Sequence, residues 1–553
     1  MGHLLSAVEV SKLIIQRDRR ISILILIIKV PMTSSILDSF VESQSRDNPY
    51  PTRLTFITLP PLSNCPDPSS FSFFQTLITL QKPLVKQAVT DRISKVGSPA
   101  LAGFILDMFC TNIMEVADEF MVPSYIFFTS GASLLNFIFL FQKLEDDEGV
   151  DTVTKFNDPE IEFDVPGFVN QVNGKVVPVV FLEKEGGSSM IIDHARRFKK
   201  SNGIIVNTFT ELESVGVEAL FDQVSKNIIP AVYPVGPILE LESKTRGGSQ
   251  GESQDKILQW LDDQPSSSVV FLCFGSMGCF DADQVKEIAN GLEKSGHRFL
   301  WSLRKPPPEG KVGMPTEHET FVDVLPDGFL ERTAERGKMI GWAPQVSILS
   351  HQAVGGFVSH CGWNSTLESI WFGVPMATWP LYAEQQLNAF ELVKELGLAV
   401  EIRMDYRRDW KTKKANFTVT AEEIENGVKK LMSLDEETKK KVREMSEKVL
   451  LVLGCLLALI LFMFLMIRCV KKKKQKNLNG DVEIGGVRGI SRGAKDGDMV
   501  ILSGDSGRVL PSAAVIDSLD NDNGNSGGSG GCGCCCGGGD GGGGCGGCGG
   551  CGG

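Results

Sequence analysis

Short β-rich runs recur along the first two thirds of this chain, each separated from the next by a stretch of helical periodicity. That alternation narrows the fold more than any other feature. The runs fall at residues 21–28, 53–59, 103–107, 124–128, 203–206, 269–274, 298–301 and 355–359. Several are apolar at every position rather than every second one, as in Ile23-Leu24-Ile25-Leu26-Ile27-Ile28, which is the pattern of a strand covered on both faces. Strands of this kind alternating with helices build βαβ units and parallel sheets flanked by helices. Arg17, Arg19 and Arg20 ahead of the first run imitate a secretory leader, but no small-residue cleavage site follows, so a buried strand explains it better. A polar stretch from Glu242 to Glu252 interrupts the series and reads as a linker. The expected class is therefore α/β, with one parallel domain over residues 1–240, a linker over 241–254 and a second parallel domain over 255–448.

Beyond Lys448 the composition changes. Residues 449–467 carry no charge and are rich in Leu, Phe, Met and Ile. As a helix they would span about 28 Å, close to the hydrocarbon thickness of a bilayer. Arg468 and the run Lys471 to Lys474 bound the segment as a membrane interface would. The sequence thus predicts a transmembrane helix over 449–467 and a disordered tail over 468–553, basic at first and then almost only Gly and Cys. The cysteines before residue 470 are scattered, with no CxxC pair, which suits a reducing compartment. A net charge of −12 argues against a nucleic-acid partner.

The chemistry concentrates in one stretch: Trp342-Ala343-Pro344-Gln345, then Gly356-Phe357-Val358-Ser359-His360-Cys361-Gly362-Trp363-Asn364-Ser365, then Glu368, and finally Tyr382-Ala383-Glu384-Gln385. Residues 356–359 read as a buried strand and 364–371 as an amphipathic helix. The turn between them places free backbone N–H groups at a helix N-terminus, which attracts an anion such as a phosphate. His360, Asn364 and Ser365 add side-chain donors at the same point. Glu368, one helical turn beyond Asn364, can take two ribose hydroxyls, and Trp342 offers a flat face to a base. A second turn, Phe274-Gly275-Ser276-Met277-Gly278, follows another strand and can reach the phosphates from the opposite side. A nucleotide carrying a diphosphate fits all of this.

The stretch from Trp342 to Gln385 resembles the donor-binding signature of plant family 1 UDP-glycosyltransferases, and the resemblance extends over about residues 2–448. It is closest to the subgroup that glycosylates phenolics and other small plant metabolites. The resemblance implies a GT-B fold, two Rossmann-like domains facing across a cleft. It also implies that Trp342 stacks on uracil beside the Ala343 backbone, and that Gln345 and Glu368 hold the ribose. His360, Asn364, Ser365 and Ser276 would contact the diphosphate, and Trp363, Glu384 and Gln385 the sugar; Gln385 favours UDP-glucose as donor substrate. No cofactor and no metal is implied. The catalytic pair would be His3, a general base for the acceptor hydroxyl, and Asp107, which orients it. At a helix N-terminus the dipole disfavours the His3 imidazolium by about 0.3–1 kcal/mol, which lowers its pKa, while Asp107 raises it.

The implied activity is inverting transfer of glucose from UDP-glucose to a small lipophilic or phenolic acceptor. It would proceed in a monomer whose catalytic part is cytosolic and whose residues 449–467 anchor it to a membrane. The alternative is a membrane protein that binds the nucleotide sugar without turnover. Relatives carry a strand before the Gly-His pair, whereas Met1 stands two residues before His3. The expected first sheet therefore lacks its first strand, a loss of four or five buried aliphatic side chains at about 1.5–3 kcal/mol each. Phe127, Phe128, Leu134, Leu135, Phe137 and Phe139 form an apolar stripe that reads either as core or as acceptor pocket. Asp281-Ala282-Asp283 has the form of a metal-binding Asp-x-Asp but opens a helix, where aspartates cap.

Overall fold

The computed structural model describes residues 2–30, 34–62, 66, 72–95, 97–241, 250–308, 313–408, 414–450 and 497–503. The expected membrane segment lies outside them from residue 451 onward, as does the tail apart from 497–503. Among the described residues no helix is long and apolar enough to cross a membrane.

Two parallel sheets organise the chain. The first uses β1 (Ser22–Ile27), β2 (Leu54–Thr58), β3 (Ala100–Asp107) and β4 (Ser124–Phe128). A small antiparallel pair, β5 (Glu162–Phe163) and β6 (Val172–Asn173), stands apart, and β7 (Gly203–Val206) and β8 (Val232–Pro234) complete the local series. The second sheet uses β9 (Val269–Cys273), β10 (Arg298–Ser302), β11 (Gly337–Ile340), β12 (Val354–Ser359), β13 (Met376–Thr378) and β14 (Ala399–Glu401) in the order β11-β10-β9-β12-β13-β14. A last strand, β15 (Gly497–Ser503), belongs to the first sheet, whose order is β2-β1-β15-β3-β4-β7-β8. All of the predicted strands are present, most within a residue or two of the expected bounds.

The unbroken apolar runs work as double-sided strands. On β1, Ile23, Ile25 and Ile27 pack in one buried cluster with Leu4, Val8 and Ile15 of the helix Gly2–Arg17. Leu24 and Leu26 point to the opposite face, into a second cluster with Phe104, Leu106, Ile126 and Phe128. The second sheet repeats the device, with Phe271 and Phe357 on one face and Val270, Leu272 and Val358 on the other. Asp281 caps the helix Ala282–Ser295 by accepting from the Gln284 N–H at 2.9 Å, so the Asp-x-Asp triplet is a cap.

One sequence expectation changes here and one open reading is decided. The place beside β1 in the first sheet is held by residues 497–503, so that part of the tail is not without structure. Four consecutive apolar residues, Met499 to Leu502, give it the β propensity its Gly-rich surroundings lack. The stripe from Phe127 to Phe139 is core: Phe127, Phe128, Leu135 and Phe137 are fully buried, and none of its members lines the cleft.

Side chains join the two domains. The Trp363 indole N–H donates to the Asn207 carbonyl at 2.7 Å, and the Arg407 guanidinium donates to the carbonyls of Gly174, Lys175 and Val177. The Glu395 carboxylate accepts the Val169 and Asn170 amides at 2.8 and 2.9 Å. The Ser133 hydroxyl donates to buried Glu391 at 2.7 Å. Close by, Glu213 accepts the amides of Ala132 and Ser133, both at 2.8 Å. Burial first, and then the charge of Glu213, holds the Glu391 carboxyl well above the usual carboxylate range. The fold therefore favours the neutral acid. That preference costs nothing below the ordinary carboxylate pKa and destabilises increasingly as pH rises toward the raised value. Glu391→Gln keeps the shape and removes the titration. The variant should melt above the unsubstituted chain at about pH 8, and the two melting temperatures should converge at about pH 4.

Candidate active site

Between the carboxyl ends of the two sheets lies a cavity of about 790 Å³. Ligand sites of parallel sheets open at this edge, where strands hand over to helices. Its walls bring together Ser276, Trp342, Ala343, Gln345, His360, Trp363, Asn364, Ser365, Glu368, Glu384 and Gln385, with His3 on the facing domain. Asp107 is not in the wall but directly behind His3.

The central turn follows from its neighbours. β12 ends at Ser359 and the helix Trp363–Trp371 begins three residues later. Buried Cys361 takes φ 61°, a left-handed conformation uncommon outside glycine. The Ser359 hydroxyl accepts its N–H at 3.2 Å, and the Asn388 amide donates to its carbonyl at 2.9 Å. No side chain caps the helix, so its first N–H groups are presented at the cavity. The His360 ring is buried between Gly275 and Gly362; a Cβ on either glycine would stand 2.5 or 2.6 Å from Nε2. Burial pulls the His360 pKa down to about 4, so the ring is neutral at physiological pH. Its Nδ1 has no hydrogen-bond partner among the described residues. A buried ring nitrogen without a partner in a cavity wall is suited to a polar ligand.

Along the same wall, Gln345 Nε2 donates to Glu368 Oε2 at 2.7 Å and to Ser365 Oγ at 2.8 Å, which fixes the carboxylate before any ligand arrives. The Trp342 amide donates to Glu317 at 3.0 Å, and the Arg304 guanidinium lies 5.0 Å from the indole centroid. Gln385 Oε1 accepts the Leu381 and Tyr382 amides at 2.9 and 3.1 Å, which orients its amide group. Glu384 is half-buried and its carboxyl is pushed up by desolvation, with His3 opposing the shift. Trp363 is almost wholly buried and its N–H is committed to Asn207, so its ring joins the domains as well as bordering the cavity.

On the facing domain, the helix Gly2–Arg17 presents His3 from its first turn. His3 Nδ1 lies 3.1 Å from Asp107 Oδ2 and 3.2 Å from Thr129 Oγ1. Asp107 is completely buried at the end of β3, whereas the His3 side chain is 35 % exposed. The second Asp107 oxygen accepts the Phe109 N–H at 2.9 Å, and the Phe109 ring stacks on the imidazole at 5.7 Å. An Nδ1–H held by the carboxylate makes Nε2 the basic nitrogen. Thr129, Phe109 and Arg304 were not singled out by the sequence. They belong to no motif and meet the site only through the fold. The one available signal was Thr129 standing directly after the predicted strand 124–128.

Among the described residues no three His, Cys, Asp or Glu side chains come together in a metal-ligating group.

Known proteins resemble this chain over most of its length. Residues 213–447 match the family model described as "UDP-glucoronosyl and UDP-glucosyl transferase". The chain is 50% identical over 452 residues to UDP-glucose flavonoid 3-O-glucosyltransferase 6 of Fragaria ananassa, covering 81% of this chain and 92% of that one. It is 51% identical over 451 residues to anthocyanidin 3-O-glucosyltransferase 1 of Manihot esculenta, covering 81% and 95%. Among solved structures, a UGT transferase from Siraitia grosvenorii in complex with UDP aligns with a TM-score of 0.72 at 47% identity, over 81% of this chain and 92% of that one. The Medicago truncatula enzyme UGT71G1 complexed with UDP-glucose aligns with a TM-score of 0.68 at 40% identity, over 81% and 91%.

Proposed function

Because this chain belongs to the plant family 1 UDP-glycosyltransferases and has their GT-B architecture, we propose that it transfers glucose from UDP-glucose to a hydroxyl of a flavonoid or similar phenolic acceptor, with inversion. The observation that carries this reading is the placement of the His3–Asp107 pair across one cavity from the turn His360 to Ser365. A protein that only binds the nucleotide sugar has no need of a base oriented by a buried carboxylate.

In this reading uracil lies on Trp342, opposite Arg304, with the Ala343 backbone at its edge. The ribose hydroxyls bond the Glu368 carboxylate that Gln345 already holds. The diphosphate sits at the N-terminus of the helix Trp363–Trp371, with His360, Asn364, Ser365 and Ser276 donating to it. Glu384 and Gln385 meet the glucose. The acceptor hydroxyl gives its proton to His3 Nε2 as its oxygen attacks the anomeric carbon. The bond to the diphosphate breaks on the opposite face, so an α-linked donor yields a β-glucoside and UDP. Negative charge growing on the leaving group is taken up by donors that are already fixed, which is where such sites gain most of their rate. Since the donor is a cytosolic metabolite, we place the catalytic part in the cytosol.

The test is direct. Full-length protein supplied with UDP-glucose and a panel of flavonols should release UDP and form a β-O-glucoside, identified by the anomeric coupling in proton NMR. UDP binding with no product from any phenolic acceptor would sink the assignment. Glu368→Ala should raise the KM for UDP-glucose by about 10-fold or more, since a hydrogen bond to a charged acceptor is worth about 1.5–3 kcal/mol. It should leave the acceptor KM within about twofold.

A further inference from the structure

We propose that Gly497–Ser503 is a positioning strand for the reaction proposed above: it is what holds the half of the sheet that carries His3 against the half that carries Asp107. The sheet order makes the case. β15 is the only described strand between β1 and β3, and it runs parallel to both. It pairs with β1 continuously, from Ser22 opposite Asp498 to Ile27 opposite Ser503. It pairs with β3 from Gly497 opposite Ala100 to Leu502 opposite Leu106, the residue before Asp107. On one side of this seam lie β1, β2 and the helix Gly2–Arg17, which leads directly into β1 and presents His3. On the other lie β3, which ends at Asp107, and β4, which is followed by Thr129.

The 3.1 Å contact between His3 and Asp107 therefore spans two blocks of backbone that, among the described residues, share no ladder except through residues 497–503. The helix Gly2–Arg17 lies over β15 as well as over β1 and β2. Withdrawing the strand would leave two facing rows of unpaired main-chain groups in the middle of a sheet, a state a folded chain relaxes by shifting one block against the other. A general base displaced by about 1 Å loses on the order of 10²-fold in rate. The donor-binding residues stand on the second sheet, which β15 does not enter, so the nucleotide site should survive the change.

The full chain carrying Val500→Pro together with Ile501→Pro tests this, because adjacent residues of a parallel strand bond opposite neighbours and each proline removes a donor. The expected result is a fall in kcat on the order of 10²-fold with the KM for UDP-glucose and the Kd of UDP unchanged within about twofold. The conservative pair Val500→Ile and Ile501→Val should transfer at the unsubstituted rate. Unchanged turnover in the proline variant, or loss of UDP affinity along with turnover, would overturn the proposal. Hydrogen exchange on the unsubstituted full chain is a separate check that needs no glucosyl transfer: amides of residues 497–503 should be protected to the same degree as those of β1 and β3. Exchange of that segment at free-peptide rates would refute the strand's role even where the transferase reading holds. Protection without transfer would leave the strand standing and remove the activity.

Discussion

Replacing His3 with alanine should lower kcat by about 10²–10⁴-fold while UDP binds with unchanged affinity. The two halves of that expectation rest on different parts of the molecule. In the proposed reaction rate depends on Nε2 taking the acceptor proton, and the ring's orientation is set by Asp107 at 3.1 Å, Thr129 at 3.2 Å and the stacked Phe109. Affinity, in the same reading, depends on the wall of the second domain, which alanine at position 3 does not touch except near the Gly2 carbonyl, 3.3 Å from Asn364 Nδ2. Asp107→Asn is the more discriminating change. The shape is kept, but an amide can donate to Nδ1, which would shift the proton to Nε2 and remove the base; a loss approaching that of the alanine variant is expected. Isothermal titration with UDP and steady-state kinetics on the same preparations measure both quantities. Transfer by the His3 variant within about tenfold of the unsubstituted enzyme would remove His3 from the chemistry.

How much of this was readable beforehand follows from what each feature depends on. Strand positions were legible because a strand buried on both faces must be apolar at consecutive positions, as 23–28 and 269–274 are. The proposed donor wall was legible because Trp342, His360 and Glu368 lie close in the chain, so that local turn and helix geometry converts spacing into position. The pairing of His3 with Asp107 came only from resemblance, since 104 residues separate them and no local rule brings them together. Thr129, Arg304 and the Glu213–Glu391 pair stayed hidden for the same reason. The seating of 497–503 beside β1 was the least accessible. Sequence shows an apolar run in a polar tail, but which strand edge accepts it is decided by the topology of a sheet formed from residues hundreds of positions earlier.

The second large effect comes from a glycine. Gly275→Ala should weaken UDP binding by about 10-fold or more, through His360 rather than through the backbone. At φ +73° any side chain is strained, at a cost of about 1–2 kcal/mol. Strain alone would lower stability and leave affinity intact. A Cβ at Gly275 would also stand 2.5 Å from His360 Nε2 and 2.8 Å from Cε1, and the ring is buried against Gly362 on its other side, so it must leave its place. Gly296 separates the two causes: it has φ +74° at the end of the helix Ala282–Ser295 and nothing within 4 Å of its Cβ position. Gly296→Ala should therefore cost a similar amount of stability in thermal unfolding and nothing in UDP affinity. A double-mutant cycle completes the argument. Once His360 is replaced by alanine there is no ring to displace, and adding Gly275→Ala should then weaken UDP little further. If the two substitutions instead weaken UDP additively, the glycine acts on the ligand by another route and His360 is not the group it protects.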